Sequence, residues 1–551
     1  MIYFAWSPVL TNCGRPRRLL TSIALFSPIS ATVCREYLNQ IEESMKNNPK
    51  DFWKYVHLQK GTTRIPGRLV YEDKQFEDPQ EIVNAFAERF SDVFRPKTII
   101  GISDVTSNKL SFAIPSVTEE QLIDIMSTFS NKMTAGDDQI PSVLIRDARY
   151  ILAKPLSICC IKLSLLMSKV MYLRSNMDSG LVDQQLLSNL CILTQFLSEQ
   201  LDNNGQVDVI YTDFSSAFDF INHTILLHKL SSFGFAPSFL KLLESYLSGR
   251  SNSVTYNGYH SFNFVSTSGV PQGSNLGPLL FVLFIDDLLL SLNCKVLAYA
   301  DDLKLYCPIS NSDDVKTFQR NLDTLVDWCN KSELLLNADK CYVMTFSRKV
   351  NVVKSDYTIN GRILCKKNEV KDLGVLFDSR LSFVEHISNI STSASKMLGF
   401  IFRVSKTFQD PLLLKSLYFA YVVSKMEYAS VVWYPYYVIH NLAVEKVQRR
   451  FLKYLSYKID GFYPQRNIDY NYLLQKHGFV SLKNRREEHS ARFISKLISG
   501  KIDCPELLER VNFHVPRVAS RYMASFHQSI SRTNLLRKAP LVHMCIYKDS
   551  F

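Results

Sequence analysis

The chain has 551 residues, of which 46% are hydrophobic and 12% aromatic, enough to build a folded interior and too apolar for a disordered chain. Its net charge is +12, and the excess is local: between Leu381 and Phe551 there are 25 Lys and Arg against 12 Asp and Glu, while the remaining 380 residues sum to −1. A basic C-terminal third points to a polyanionic partner, and no apolar run approaches the ~20 residues of a membrane helix, since the nearest, at 277–292, is cut by Asp286 and Asp287.

Residues 1–33 carry Arg15, Arg17 and Arg18 between two weak apolar patches and lack the order of a secretory signal. The twelve cysteines form no CxxC pair and no zinc-like spacing, so reduced thiols in the nucleus or cytoplasm are expected, not a secreted chain. Residues 34–60 and 79–94 read as helices of a connecting module spanning 34–100. Thr118, followed by Glu119 and Glu120, predicts a helix over 117–129, which ends before the loop AGDDQIP at 135–141. From Gln206 the pattern changes. QVDVIYTDF (206–214) predicts a buried strand, 215–235 and 237–250 predict helices, and Asn257-Gly258 marks a hairpin. GVPQGSNLGP (269–278) is a loop running into an apolar helix, and KVLAYADDLKLYC (295–307) reads as strand, turn, strand.

Asp301 and Asp302 sit inside that last apolar run. Two adjacent carboxylates there are tolerated only on a solvated turn or beside a cation. At a hairpin tip they would project into a cleft, and Asp213 closes the earlier strand, 88 residues away in sequence. Hard oxygen donors on strand ends suit Mg²⁺, and two such ions can stabilise the attacking and leaving oxygens of a phosphoryl transfer. A lone Asp-Asp pair carries no weight, because Asp286-Asp287 and Asp313-Asp314 occur as well. The ordered set DFSSAFD (213–219), GVPQGSNLGP and YADD (299–302) is far more specific.

These motifs resemble the reverse transcriptases of non-LTR retrotransposons, most of all those of insect jockey-type elements, over about residue 34 to the C-terminus. The resemblance implies an α+β right-hand polymerase of fingers, palm and thumb, with an antiparallel palm sheet and a helical C-terminal region. It divides the chain into a leader (1–33), the connector (34–100), a shortened fingers region (101–189), the palm (190–380) and a basic thumb with tail (381–551). It implies RNA-directed DNA synthesis from dNTPs on an RNA template and DNA primer, with two Mg²⁺ ions or Mn²⁺ in their place, and an element-encoded RNA-binding partner. Asp213, Asp301 and Asp302 resemble the catalytic metal ligands, and Phe218 the aromatic gate against a ribose 2′-hydroxyl. Gln272 and Gly273 resemble the nucleotide-facing loop called motif B, Lys340 in LLLNADKC (334–341) the lysine near the leaving pyrophosphate, and LGVLFD (373–378) the primer-grip hairpin. MEYASVVWYP (426–435) resembles part of the thumb.

One passage departs from the family. Residues 155–189 lack its P-x-F-K-K-G…Y-R-P-I-S fingers pattern, and Lys154, Lys162, Lys169 and Arg174 stand in no matching context. That gap resembles a splice or frameshift across a deletion, and the family's endonuclease and zinc knuckle are expected to be missing. A second reading therefore stays open, a retroelement remnant that binds nucleic acid without polymerising. His223 and His228 read as packed or solvated side chains, and Asp286 and Asp287 as parts of a core helix. On 441–455, Val444, Val447, Phe451 and Leu455 form an apolar stripe, opposite a basic face of Lys446, Arg449, Arg450 and Lys453. That face is expected either to be solvated or to track a template–primer backbone.

Overall fold

The computed structural model describes residues 39–60, 69–71, 74–94, 119–127, 146–150, 179–514, 525–527 and 531–548, apart from single positions 41, 47, 236, 257, 275 and 436. The leader, the 135–141 loop and Lys154, Lys162, Lys169 and Arg174 lie outside the described residues. Two compact units emerge: one draws on residues 69–189 and 205–367, the other on residues up to 68, 190–204 and 368–551.

The first unit is built on a five-stranded sheet, with β1 (Gln206–Thr212), β2 (Lys295–Tyr299), β3 (Asp302–Pro308), β4 (Tyr342–Ser347) and β5 (Cys365–Lys366) in the order β5-β4-β1-β3-β2. Every residue of the central strand β1 is buried. That explains its run of Val, Ile and Tyr. Its one buried carboxylate, Asp208, is satisfied by Ser355 Oγ at 2.8 Å, Tyr357 OH at 2.9 Å and Gln206 Nε2 at 3.2 Å.

The sheet is antiparallel, as expected, in its β4–β1, β1–β3 and β3–β2 pairs, and mixed only at its edge, where the two-residue β5 runs parallel to β4. The chain leaves β4 through the small hairpin Thr358–Ile363 before β5 returns alongside it, and that crossover permits the parallel edge. The helix expected over 215–235 also starts late. Residues 215–222 form turns, with Ser216 at φ 45°, and the helix α1 (His223–Ser232) begins where the Asn222 side chain accepts from Thr224 N and Ile225 N.

Helix α2 (Leu276–Ser291) is apolar on all sides because it is buried on most of them; Phe281, Phe284, Ile285 and Leu288 lie in one core with Phe214, Leu303, Leu305 and Phe318. Asp287, on its outer edge, pairs with Lys229 at 2.8 Å, and the same ammonium donates to the Phe284 carbonyl at 2.7 Å. The amphipathic helix α3 (Ser312–Lys331) starts at a capping box of Asn311 and Asp314 and packs Phe318, Leu322, Leu325 and Trp328 inward.

The second unit opens on the antiparallel hairpin β6 (Glu369–Asp372) and β7 (Val375–Asp378), where a primer-grip hairpin was expected. Helices α4 (Val384–Val404), α5 (Pro411–Tyr418), α6 (Val438–Asp460), α7 (Tyr470–His477), α8 (Leu482–Ile498) and α9 (Pro540–Lys548) follow. Val444, Val447, Phe451 and Leu455 of α6 are buried, as the stripe predicts, and Phe451 stacks on Tyr418 with centroids 3.9 Å apart. Glu427 and Arg485 form a bidentate pair at 2.5 and 2.8 Å. No helix among the described residues is long and apolar enough to cross a membrane.

Candidate active site

Strand β1 pairs with β3 in a register that sets Thr212 opposite Leu303, and β2 meets β3 with Tyr299 opposite Asp302. Continuing the first register by one residue sets Asp213 level with Asp302. Thus Asp213, Asp301 and Asp302 stand at one end of the sheet, on its central strand and at the tip of the neighbouring hairpin. The tip is a two-residue connection, and its Ala300 adopts φ 52°, an unusual conformation for a residue with a Cβ. Asp301 is half-buried and Asp302 exposed, so the carboxylates that repel one another are largely in water.

Asp213 is held by backbone on a second side. Its carbonyl accepts from Asn337 N at 2.8 Å, Ser215 N donates to Leu335 O at 2.8 Å, and Phe214 bridges Leu336. These bonds bind the 333–341 loop to the strand end and deliver Lys340, whose Nζ lies 3.2 Å from Asp213 Oδ2. That oxygen is itself buried and makes no hydrogen bond of good geometry. Lys340 is mostly exposed, so it can leave the carboxylate for another anion at little cost.

The residues that follow form a clamp around Gly269. A Cβ there would sit 2.7 Å from Asp219 Cα, Asp219 O and Phe218 O, and φ is +79°, so only glycine fits. Gly269 N donates to Ile221 O and Val270 N to Phe218 O, each at 2.8 Å. The Gly269 carbonyl accepts from Arg250 Nη2 at 3.1 Å and from His223 Nε2 at 2.7 Å, so His223 carries its proton on Nε2. His223 is a buried, bonded side chain, in line with the packed reading.

Phe218 is half-buried against the core of the first unit, with its ring centroid 4.9 Å from that of Phe281. Gln272 is exposed, and its Nε2 lies 2.9 and 3.0 Å from the two carboxylate oxygens of Asp219. Gly273 adopts φ +79°, and a Cβ on it would meet nothing within 4 Å, so this glycine serves the turn and leaves open space beside it. Asp219 and Arg250 had no role in the sequence reading, and His223 was read there as a packed or solvated side chain without a partner being assigned. The signal available for Asp219 was its place as the last residue of DFSSAFD; the other two are visible only through the backbone they bind.

The resemblance implies magnesium. Among the described residues no group of three or more His, Cys, Asp or Glu side chains is gathered into a metal-holding cluster. The donors at the strand ends are nonetheless hard carboxylate oxygens, one of them buried and without a hydrogen bond. Magnesium takes one or two carboxylates and completes its shell with water and substrate phosphate, so an open donor set of this kind fits the ion.

The basic face of α6 is divided. Arg449 Nη2 donates to Ile468 O at 2.6 Å and Lys453 Nζ to Arg466 O at 2.9 Å. Lys446 and Arg450 are exposed, the Arg450 guanidinium lying 5.7 Å from the Phe402 ring centroid.

Residues 140–401 match the family model described as reverse transcriptase (RNA-dependent DNA polymerase). The RNA-directed DNA polymerase from mobile element jockey of Drosophila funebris is 32% identical over 213 residues, covering 36% of this chain and 23% of that protein. The probable RNA-directed DNA polymerase from transposon BS of Drosophila melanogaster is 32% identical over 205 residues, covering 35% and 22%. Among solved structures, apo telomerase from Candida tropicalis aligns over 86% of this chain and 81% of that one, at 11% identity and a TM-score of 0.35. The chain thus spans less than a quarter of the length of these two fly relatives. The sheet and the helices packed on it give the matched segment an α+β architecture. The 140–401 segment, a little under half of the chain, is thus similar to the reverse transcriptase family, and the two fly relatives are polymerases of mobile elements.

Proposed function

We propose that this chain is an RNA-directed DNA polymerase of a non-LTR, jockey-like retrotransposon, adding dNTPs to a primer 3′-hydroxyl on an RNA template. The observation that carries this reading is the β1–β3 register, which sets Asp213 level with the Asp301-Asp302 tip.

Asp213 and Asp301 would hold two magnesium ions, with Asp302 beside them. Bound there, the ions supply a lowered pKa for the attacking hydroxyl and neutralisation of the leaving pyrophosphate. The chain's own residues position the reactants. Lys340, exposed beside Asp213, exchanges its carboxylate partner for the pyrophosphate oxygens as negative charge develops there. Phe218, backed by Phe281, would act as the aromatic gate against a 2′-hydroxyl. Gln272 and Gly273 would form the nucleotide-side wall, with open space beside Gly273. Lys446 and Arg450 are the members of the basic face with side chains available to template–primer phosphates. The regional assignments, with a palm at 190–380 and a thumb with tail at 381–551, belong to this reading.

A second reading is favoured by one observation, the absence of the family's lysine- and arginine-bearing fingers pattern from residues 155–189. Losing a triphosphate clamp lowers the rate by orders of magnitude, leaving a protein that binds nucleic acid without extending it. Primer extension on an RNA template separates the two, with Asp301→Asn as control. Extension by the parent and none by the control supports the polymerase; binding of template–primer with no extension by either supports the remnant.

A further inference from the structure

We propose that Asp219 is a positioning residue that fixes which end of the Gln272 amide faces the nucleotide, an inference that rests on the nucleotide-side assignment of Gln272. The carboxylate meets the amide with both oxygens, at 2.9 and 3.0 Å from the same atom. Only a donor can approach two carboxylate oxygens at once, since the amide oxygen placed there would set three acceptors against one another. The chemistry therefore assigns that atom as Nε2, independently of how the amide is drawn. The remaining end, Oε1, is what Gln272 offers outward, so the side chain acts as an acceptor for a hydrogen-bond donor on the incoming nucleotide.

Asp219 can do this because it is itself immobile. Its N–H donates to Ser216 O at 2.9 Å and its carbonyl accepts from Ser268 Oγ at 2.6 Å. The Gly269 clamp closes on its Cα with no space for a methyl group. Arg250 and His223 hold Gly269 from the other side through its carbonyl. The strand end that carries Phe218 and the loop that carries Gln272 are thereby joined into one rigid piece. Burial pushes the Asp219 carboxyl above its ordinary range, opposed by the Gln272 hydrogen bond and by Arg250, as expected of a carboxylate retained in a partly dry place for one partner. A carboxylate held only for solubility would face water.

The test has a structural arm and a kinetic arm. With selectively ¹⁵N-glutamine-labelled full-length protein, the Gln272 side-chain amide signals are identified by their loss in Gln272→Ala. They should sit away from the values of a free amide in the parent, collapse to those values in Asp219→Ala, and stay displaced in Asp219→Asn, which keeps one acceptor. In primer extension, Asp219→Ala should raise the KM for dNTP about tenfold, the worth of one hydrogen bond, with kcat nearly unchanged, and Asp219→Asn should recover most of it. Amide signals that are the same in the parent and in Asp219→Ala would overturn the proposal. Extension absent from every variant while the amide signals respond removes the polymerase reading and leaves the positioning intact; normal extension with an unchanged KM and unmoved signals does the reverse.

Discussion

The acidic strand ends of the first unit and the basic helix α6 of the second unit were both conspicuous in the sequence, yet the fold treats them differently. Asp213, Asp301 and Asp302 are carried to one edge of a sheet, where Lys340 approaches Asp213 at 3.2 Å. On α6, half of the basic face is consumed internally, Arg449 and Lys453 donating to the carbonyls of the loop before α7. Cations on long stems can fold back to satisfy nearby backbone, whereas short carboxylates on rigid strands cannot. A run of basic residues therefore overstates a nucleic-acid surface more readily than an acidic hairpin tip overstates a metal site.

The largest test of the acidic side is removal of a ligand. Asp213→Asn or Asp301→Asn should lower primer extension about a thousandfold, equivalent to roughly 4 kcal/mol of transition-state stabilisation, with little loss of fold because both residues are only half-buried and the change is isosteric. Retained extension in either variant would break the comparison at its root. Next in size is Gly269→Ala. The added methyl meets backbone at 2.7 Å and the residue is held at φ +79°, so the clamp must open. A cost of about 3 kcal/mol in urea unfolding is expected, as for overpacking at a strained site. A neutral result would mean that the strand end and the loop are not rigidly joined.

How much of this was legible in the sequence depended on the range of the interaction. Strand β1, the hairpin β2–β3 and the apolar helix α2 could be read because their patterns are local: a β-branched run, alternation about a turn, and a continuous apolar stretch. The juxtaposition of Asp213 with the hairpin tip needed a pairing across 88 residues, which the ordered motifs supplied by resemblance and the spacing alone did not. The parallel edge β5, two residues long, had no periodicity to detect. The late start of α1 was foreshadowed by Asn222, a strong cap residue that lies seven positions inside the stretch read as helix. Arg250 and His223 bind a carbonyl, and nothing in a side-chain pattern announces a backbone partner.

A pH experiment sharpens the contrast from the second unit. His386 on α4 is buried, accepts from Leu376 N at 3.2 Å through Nδ1, and lies against Trp433. Burial, with Lys371 adding to it, pushes its pKa down to about 4. The unfolded imidazole titrates near 6.5. Above that pH the neutral ring favours the fold fully; as pH falls from about 6.5 towards 4 the unfolded chain takes up a proton that the folded chain refuses, and stability drops by on the order of 3 kcal/mol. His386→Asn, which retains an acceptor, should unfold more readily at pH 8 but show a flatter decline across that window. An unchanged slope would mean that the ring takes up its proton equally in the folded and the unfolded chain.

The smallest effects decide how the α6 face is divided. Lys446→Ala and Arg450→Ala should each reduce the slope of log affinity against log salt for template–primer by about one, as expected when one phosphate contact is lost, and should leave unfolding unchanged. Arg449→Ala and Lys453→Ala should do the opposite, costing about 1–2 kcal/mol of stability through the lost charge-assisted bonds to Ile468 O and Arg466 O while barely moving the slope. Charge reversal of all four at once would confound the two effects, weakening binding partly by loosening the loop. The single substitutions keep them apart because the two pairs have different partners. Equal slopes from all four variants would mean that Arg449 and Lys453 release their carbonyls when nucleic acid arrives, and the helix would then work as one surface.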